Sequence, residues 1–594
     1  MANWFVAAKR ADFNMIGEKF GISPVLARII RNRDVITEEE IQLFLHGTIK
    51  ELHSPFLLKD MEKAVSIAKE KIKDGKKIRV IGDYDIDGVC ASYILEKGLK
   101  EAGAVVDTVI PHRIKDGYGL NEELIREAYE AEVDTIITCD NGIAAKEQIA
   151  LGKELGMTVI VTDHHEVPYT EENGERKYFL PEADAVIDPK QEYCHYPYKG
   201  ICGAVVAYKF IQALYGQEQL EFEKEGVEVS VLKQLFPFTA FATIGDVMEL
   251  TGENRIFVKY GLKAMERTEN KGLKALILAN GLSGGKLSPY HVGFVLGPCI
   301  NATGRLDTAE RALQLFSTED EREAAVIAGD LKALNDSRKD LTVKGLEQAV
   351  SLVESTDLKK DNVLVVYLPE CHESLAGIIA GRLREKYGKP SFVLTKGEEE
   401  VKGSGRSIDA FHMYEHMTKI KDLFLKYGGH KLAAGLSLKE ENIEEFRKRI
   451  NLGSNLTEKD FEETVHIDVP MPIAYCSMDF VKELERLEPY GTGNKKPLFA
   501  EKNISFLSGK LLGKDGKVLK CLVADEKGYQ IEAVYFGDTT KMLADLRNQF
   551  GEKQVDLLLK GYNNQVKLTI AYYPDINEFR GKKTLQIVIT NYCF

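Results

Sequence analysis

Asp83, Asp85 and Asp87 stand at alternate positions in RVIGDYDIDGVCAS, with Gly88 directly behind them. Carboxylates this close repel one another, so the spacing asks for a cation. The pattern D-x-D-x-D-G is that of an EF-hand calcium loop, which needs a bidentate glutamate at its twelfth position and a helix before it. Counted from Asp83 the twelfth residue is Ile94, and the preceding KKIRVIG reads as a strand, so the EF-hand is excluded. A polar turn whose aspartates cap the next helix is the plain alternative. Two more apolar runs decide between the readings: TIITC leads into Asp140, and VIVT into Asp163, His164 and His165. Ligands of doubly wound sheets bind just beyond the carboxyl ends of the strands. Three successive strands ending this way place all seven residues along one edge of one sheet. A mixed oxygen and nitrogen set without thiolate favours Mn²⁺ or Mg²⁺ over structural zinc. More donors than one ion needs point to two ions, which clamp the attacking and leaving oxygens of a phosphoryl displacement. A purely structural ion is the competing use of so crowded an edge.

The elements that position these residues follow from periodicity. Residues 1–75 read as helical, from stretches such as TEEEIQLFLHG and MEKAVSIAKEKIKDG. Strands and helices then alternate through KKIRVIG, VCASYILEKGLKEAG, AVVDTVIPH, NEELIREAYEAE, VDTIITCDNG, AAKEQIALGKELG and MTVIVTDHHE. That alternation, with near-continuous apolar strands, predicts a parallel sheet covered on both faces. Helices dominate from Cys202 to about Glu354, and the stretch from Glu319 onward predicts one long connector helix. A second, smaller α/β unit follows in NVLVVYLPE, AGIIAGRLREKYG and PSFVLTKG. Beyond Glu463 short strands recur in NISFLSGKLLG, KVLKCLVAD, YQIEAVYFG and VDLLLKGYNNQVKLTIAYY, which suits a small β-barrel such as an OB-fold. The predicted domains are 1–75 helical, 76–250 with the acidic strand ends, 251–355 helical with the connector, 356–453 α/β, and 463–594 barrel.

The 594 residues are enough for three or four domains at roughly 100–200 residues each. With 44% hydrophobic and 29% charged residues the chain is an ordinary globular composition. Its net charge of −13 confines any nucleic-acid site to a local groove rather than the whole surface. Nine scattered cysteines without a C-x-x-C argue against structural zinc and against a disulfide framework, and fit a reducing cytoplasm. MANWFVAAKR carries no signal-peptide core, and no apolar run approaches the roughly 18–20 residues of a membrane helix. The expected location is cytoplasmic, away from membranes.

The ordered blocks resemble the DHH phosphoesterase superfamily and, within it, the bacterial RecJ family of single-strand-specific exonucleases. GDYDIDG, CDNG, TDHHE and IGDVMEL, with Asp246, resemble its four motifs. PHRIKDGYGL and LGPCINATGRLD resemble further blocks of the family, and AGIIAGRL, KGSGRS and YGGHKLAAGLSL resemble its DHHA1 domain. LEPYGTGNKKPLF is similar to the junction into its OB-fold. The resemblance implies a parallel-sheet DHH domain and a smaller α/β DHHA1 domain joined by a long helix, then a C-terminal OB-fold. It implies 5′-to-3′ degradation of single-stranded DNA to mononucleotides with two Mn²⁺ or Mg²⁺ ions. Asp85, Asp87, Asp140, His164 and Asp246 would hold the metals, with Asp140 bridging, and Asp83 would ligate or orient a ligand. Asp163 would orient a neighbouring histidine, as carboxylates behind a metal site do. His165 would contact the scissile phosphate and assist proton transfer. Single-stranded-DNA-binding protein and a helicase, in repair or recombination, are the partners implied.

Substrate grip is expected from the second α/β unit. Ser404 and Arg406 lie in KGSGRS, where Gly403 and Gly405 would free backbone N–H groups for phosphate; a plain turn is the alternative. Arg113 resembles the family position that grips the terminal phosphate, its alternative being a surface ion pair. Arg305 in NATGRLD and His430 in GGHKLAAG are further candidates. Barrel aromatics such as Tyr529, Tyr535, Phe536 and Tyr562 suit base stacking or core packing equally. The chain departs from the family pattern it resembles at Cys299, where arginine is usual, and at Cys371 and Ser374, where tryptophan and glycine are more usual. Two other functions stand beside the exonuclease. One is a DHH hydrolase of short RNA or dinucleotides, against which the C-terminal barrel speaks. The other is a metal-free single-strand-binding scaffold, against which the complete set of acidic and histidine positions speaks.

Overall fold

The computed structural model describes residues 3–594 apart from 114, 118, 173–174, 221, 223–226, 398–399, 463 and 580. The chain forms two compact units, one of Met1–Gly47, Glu249–Thr251 and Glu462–Phe594, the other of Thr48–Met248 and Gly252–Phe461. The first residues correct the helical expectation: NWFV is strand β1 (Asn3–Val6). Aromatic and β-branched side chains favour extended backbone there, and the first helix-capping side chain comes only at Asp12. Helices Phe13–Phe20, Pro24–Asn32 and Glu38–His46 then follow, opened by Asp12, Ser23 and Thr37.

In the second unit, β2 (Lys77–Ile81), β3 (Val105–Val109), β4 (Thr135–Cys139), β5 (Thr158–Thr162) and β8 (Ala185–Ile187) make one wholly parallel sheet in the order β3-β2-β4-β5-β8. A small hairpin, β6 (Tyr169–Glu172) with β7 (Glu175–Tyr178), interrupts the run. All five residues of β4 are buried, as a parallel strand covered on both faces requires. β8 lies outside the sequence expectation because three residues, AVI, give no period to read. Helix Ile86–Glu101 begins inside the triple-aspartate motif, and the buried helix Gly203–Leu214 packs against it.

Helices Gly252–Met265, Lys271–Ala279, Gly297–Leu306 and Glu310–Ser317 lead to the connector Glu321–Ser355. Its 35 residues span roughly 50 Å at the α-helical rise. The next sheet has the order β12-β13-β11-β10-β9, from β9 (Leu364–Tyr367), β10 (Ser391–Lys396), β11 (Val401–Arg406), β12 (Phe424–Gly429) and β13 (Ala433–Leu438). KGSGRS is neither a nest nor a turn: it is β11, paired antiparallel to β10 on one side and β13 on the other. Its glycines serve packing instead, since a Cβ at Gly403 would lie 2.4 Å from Leu394 Cδ2 and one at Gly405 2.5 Å from Met413 Sδ.

In the first unit, β14 (Thr464–Ile467) pairs in parallel with β1, and β15 (Val469–Pro470) with β16 (Phe499–Leu512). β16, β17 (Val518–Ala524), β18 (Gln530–Tyr535), β20 (Lys582–Cys593) and β19 (Lys567–Phe579) are hydrogen-bonded in that order, and β19 returns to β16, closing a five-stranded barrel. VDLLLKG is not a strand, as its apolar run suggests, but belongs to helix Glu552–Lys560. Val555 and Leu558 are three apart and both buried, and Gly561 ends the helix in the left-handed conformation. Leu26, Ile29, Ile30 and Phe44 of the N-terminal helices share one core with Phe499, Leu519 and Tyr572 of the barrel. Among the described residues no helix is long and apolar enough to cross a membrane.

Candidate metal centre and nucleic-acid cleft

The carboxyl ends of β2, β4 and β5 do converge. Asp85 caps helix Ile86–Glu101, its Oδ1 accepting from the N–H groups of Asp87 (2.9 Å) and Gly88 (3.2 Å). Asp87 is held by a second helix: the N–H groups of Gly203 and Ala204, which open helix Gly203–Leu214, donate to its two oxygens at 2.6 and 2.8 Å. Helix N-termini suit carboxylates because their N–H groups lack intrahelical partners. Close approach explains the glycines nearby. A Cβ at Gly88 would lie 2.4 Å from Asp83 O, and one at Gly203 2.8 Å from Asp140 Cβ. Asp140 itself takes φ of +59°, and Val247, directly after Asp246, +58°. A β-branched residue at positive φ is costly, and such strain gathers at functional sites.

Three overlapping trios bring ligand atoms within 4.8 Å of one another: Asp83–Asp85–Asp140, Asp140–His164–His165 and Asp87–His164–Asp246. Asp140 and His164 each belong to two of them, and His164 Nε2 lies 3.0 Å from Asp140 Oδ1 and 3.5 Å from Asp87 Oδ2. Asp163 stands behind the trios. Its Oδ1 meets His165 Nδ1 at 2.7 Å and accepts from His164 N, and its Oδ2 accepts from Ile143 N.

Electrostatics match that crowding. Burial, then the charge of Asp85, pushes the Asp83 carboxyl up to about 8. Burial, then Asp87 and Asp85, does the same to Asp246, also to about 8. Asp85 and Asp140 move upward through burial and the charge of Asp87. Burial lowers His164. It also works against a charged His165, but the hydrogen bond and charge of Asp163 prevail and raise His165 to about 9. Asp163 is lowered despite its burial, by the same hydrogen bond from His165. The oxygen Asp83 Oδ1 and the nitrogen His164 Nδ1 are buried without a hydrogen-bond partner. Clustered buried acids, an orphaned carboxylate oxygen and a neutral imidazole fit divalent cations.

The guanidinium candidates gather in the same unit. Tyr84, Arg113, Ser374, Lys402, Ser404, Lys426 and Tyr427 line a cleft of about 520 Å³. Alternation along β11 turns Gly403 and Gly405 to the core and leaves Lys402, Ser404 and Arg406 half-buried on the other face. The Arg113 guanidinium sits 4.8 Å above the Tyr84 ring. Arg305 Nη1 donates to Ser374 O at 2.7 Å, and burial, then Arg113, Arg338 and Arg406, lower it to about 10. Among the described residues none of Arg113, Arg305, Arg338 and Arg406 pairs with a carboxylate. His430 lies exposed in the β12–β13 turn and is not among the residues lining the cleft.

Three family profiles match the chain: "DHH family, N-terminal domain" at residues 77–234, "DHHA1 domain" at 360–452 and "RecJ OB domain" at 467–591. The single-stranded-DNA-specific exonuclease RecJ of Escherichia coli is 31% identical over 587 residues, covering 96% of each chain. Its counterpart in Bacillus subtilis is 33% identical over 576 residues, covering 96% of this chain and 68% of that one. The chain belongs to the RecJ family. A crystal structure of RecJ from Thermus thermophilus in complex with Mn²⁺ has the same fold, with a TM-score of 0.80 and 27% identity, covering 100% of this chain and 79% of that one. A second, from the same organism, is a complex with Mg²⁺, with a TM-score of 0.74 and 26% identity, covering 99% of this chain and 78% of that one.

Two residues escaped the sequence reading. Asp188, at the end of β8, is buried with Oδ2 unpartnered, and burial, then the charge of Asp163, pushes it up to about 8. The signal was the strand end AVID, a fourth acidic ending. Arg338 lies mid-way along the connector with Nε buried and unpartnered, and burial lowers its pKa. Nothing distinguishes it in sequence from the other cations of a solvated helix. Cys299 is buried, with Asn335 of the connector donating to its Sγ at 3.6 Å. Arg338 is one turn beyond Asn335.

Proposed function

We propose that this chain is a metal-dependent exonuclease that degrades single-stranded DNA from the 5′ end to mononucleotides. The observation that carries the reading is a pair of acidic and histidine trios sharing Asp140, in the same unit as a cleft lined by Arg113, Lys402, Ser404 and Lys426. Asp83, Asp85, Asp87, Asp140, His164 and Asp246 would hold two Mn²⁺ or Mg²⁺ ions, Asp140 being the carboxylate common to two of the trios. Bound there, the ions would neutralise the carboxylates and make water a stronger nucleophile at neutral pH.

The chain's own groups do the rest. The Asp163 carboxylate fixes the His165 ring through Nδ1 and favours its protonated form. A fixed imidazolium can donate a hydrogen bond to a phosphate oxygen and pass a proton to the departing 3′ oxygen. Arg113, Ser404 and Arg406 are assigned to the terminal phosphate, and Arg305 and Arg338 to the following backbone. Contacts to backbone carry no sequence information, which suits indifferent degradation. His430, exposed and outside the cleft lining, is assigned no contact. The free sulfurs of all nine cysteines fit a reducing cytoplasm. Single-stranded-DNA-binding protein and a helicase are the partners proposed, as suppliers of accessible strand in repair and recombination.

The test is digestion of oligonucleotides labelled at the 5′ or 3′ end, with Mn²⁺ or EDTA, beside matched RNA, duplex and an Asp140→Ala variant. Metal-dependent release of the 5′ label as a mononucleotide, absent from duplex and variant, is expected. Cleavage of short RNA but not long DNA would replace the reading with a small-substrate hydrolase, and binding without cleavage would leave a scaffold.

A further inference from the structure

The stretch LSPYHVGFVLGPC joins the helical region to the helix carrying Arg305. Its backbone makes one α-turn, Pro289–His291, then a π-turn, Val292–Leu296, in which Gly297 N–H reaches back to Val292 O. Turns of this kind are rare and gather at functional sites. Their side chains divide by face. Val292 and Leu296 are buried, whereas Tyr290 and Phe294 are 63% and 68% exposed. The two exposed rings stack on each other, centroids 5.2 Å apart and planes 26° from parallel. Two large aromatics bare to water side by side are unfavourable unless something covers them.

The inner side of the turn leans on the metal centre. A Cβ at Gly293 would lie 3.6 Å from Ile244 Cγ2, and one at Gly297 3.1 Å from Ile86 Cδ1. Ile86 sits between Asp85 and Asp87, and its N–H donates to Asn301 of the helix that follows the turn, at 2.9 Å. Ile244 comes two residues before Asp246. Exposed Val247 adds an apolar neighbour in the chain directly after Asp246. The helix leaving the turn delivers Arg305 to the guanidinium cluster.

We propose that Tyr290 and Phe294 are a nucleobase-stacking platform at the metal centre, and that they contribute to the preference for single strands. The inference rests on the exonuclease reading above. Its occupant is an unpaired base of the substrate, because the helix that leaves the platform carries Arg305, whose guanidinium feels the charges of Arg113, Arg338 and Arg406. Rings beside a cationic track are how single strands are held without sequence preference. In duplex the base faces are already covered by their neighbours and cannot reach a protein ring.

The test uses the full-length chain carrying Asp140→Ala, in EDTA, with single-stranded oligonucleotides bearing 2-aminopurine at one position at a time from the 5′ end. One position should be quenched, and the quenching should vanish in Tyr290→Ala/Phe294→Ala. Affinity for single strands should fall about 5- to 100-fold in that double variant and recover with Phe294→Trp. An abasic site at the quenched position should abolish the difference between the proteins. The melting temperature should not move, since both rings are exposed. Unchanged quenching and a Kd within twofold of the parent overturn the proposal. So does a double variant that loses self-association in sedimentation while binding DNA normally, which would make the rings an interface between copies. If the unmutated chain with Mn²⁺ neither binds nor degrades single strands, the exonuclease reading falls with it, a result distinct from a platform that fails alone.

Discussion

Removing divalent cations should leave a protein that loses stability as pH rises from 5 to 8. The Asp83 carboxyl is pushed from 3.8 to about 8 by burial and by Asp85. Its pKa is higher folded than unfolded, so its contribution is fully present below pH 3.8 and drains away as pH rises toward 8. The slope is about 1.4 kcal/mol per pH unit for one such group, on the order of 5 kcal/mol across the whole window. Asp246, also near 8, adds in the same direction, discounted because its side chain is 30% exposed. His165, at about 9, adds its own decline from pH 6.5 upward. Asp163 is lowered, so its contribution is constant above pH 3.8, whereas His164, lowered by burial, offsets part of the decline below pH 6.5 and none above it. Mn²⁺ acts oppositely, because it competes with protons for the same carboxylates and binds more tightly as pH rises. Thermal unfolding followed at pH 5, 6, 7 and 8, with EDTA or Mn²⁺, reads both effects. At roughly 2–4 °C per kcal/mol, the EDTA transition should fall by on the order of 10 °C, and the Mn²⁺-induced rise should widen with pH. A flat or rising EDTA curve would refute the reasoning, as would a Mn²⁺ shift equal at pH 5 and 8 or intact in Asp140→Asn.

Asp163→Asn should cut turnover about 10- to 100-fold, as loss of a carboxylate behind a metal-site histidine does. Its pH–rate profile should lose its alkaline side at lower pH, because His165 no longer has the charge that raises it to about 9. Arg406→Ala should weaken binding of 5′-phosphorylated strands about 10- to 100-fold, the worth of a charged hydrogen bond, and leave 5′-hydroxyl strands less affected; equal losses on both would remove Arg406 from the terminal phosphate. Arg338→Met should reduce the salt dependence of single-strand binding by about one phosphate contact without lowering the melting temperature, since its Nε is already buried and unpartnered. Gly203→Ala should destroy metal binding through the 2.8 Å approach to Asp140 Cβ, measured as loss of the Mn²⁺-induced thermal shift.

Local chemistry made much of this molecule readable in one dimension. Apolar runs ending in acid announce the parallel sheet, because a strand covered on both faces must be apolar throughout and its carboxyl end is where a ligand binds. The connector shows as 35 residues without a proline. Short or ambiguous segments did not yield. NWFV, too short to show a period, is a strand paired to β14, and VDLLLKG becomes a helix because Val555 and Leu558 both face the barrel core. KGSGRS spells a loop, yet its neighbours β10 and β13 make it a strand, and Leu394, Phe392 and Met413 leave room for nothing larger than glycine. The donors of the metal centre are visible as residue types. Their convergence within 4.8 Å, the helix N-terminus that grips Asp87 and the unpaired Arg338 guanidinium are products of packing alone. Sequence states which groups can bind a cation or a phosphate. Only the tertiary structure decides which are buried without partners, because partnership depends on chain segments more than a hundred residues apart, as Asp87 and Gly203 are.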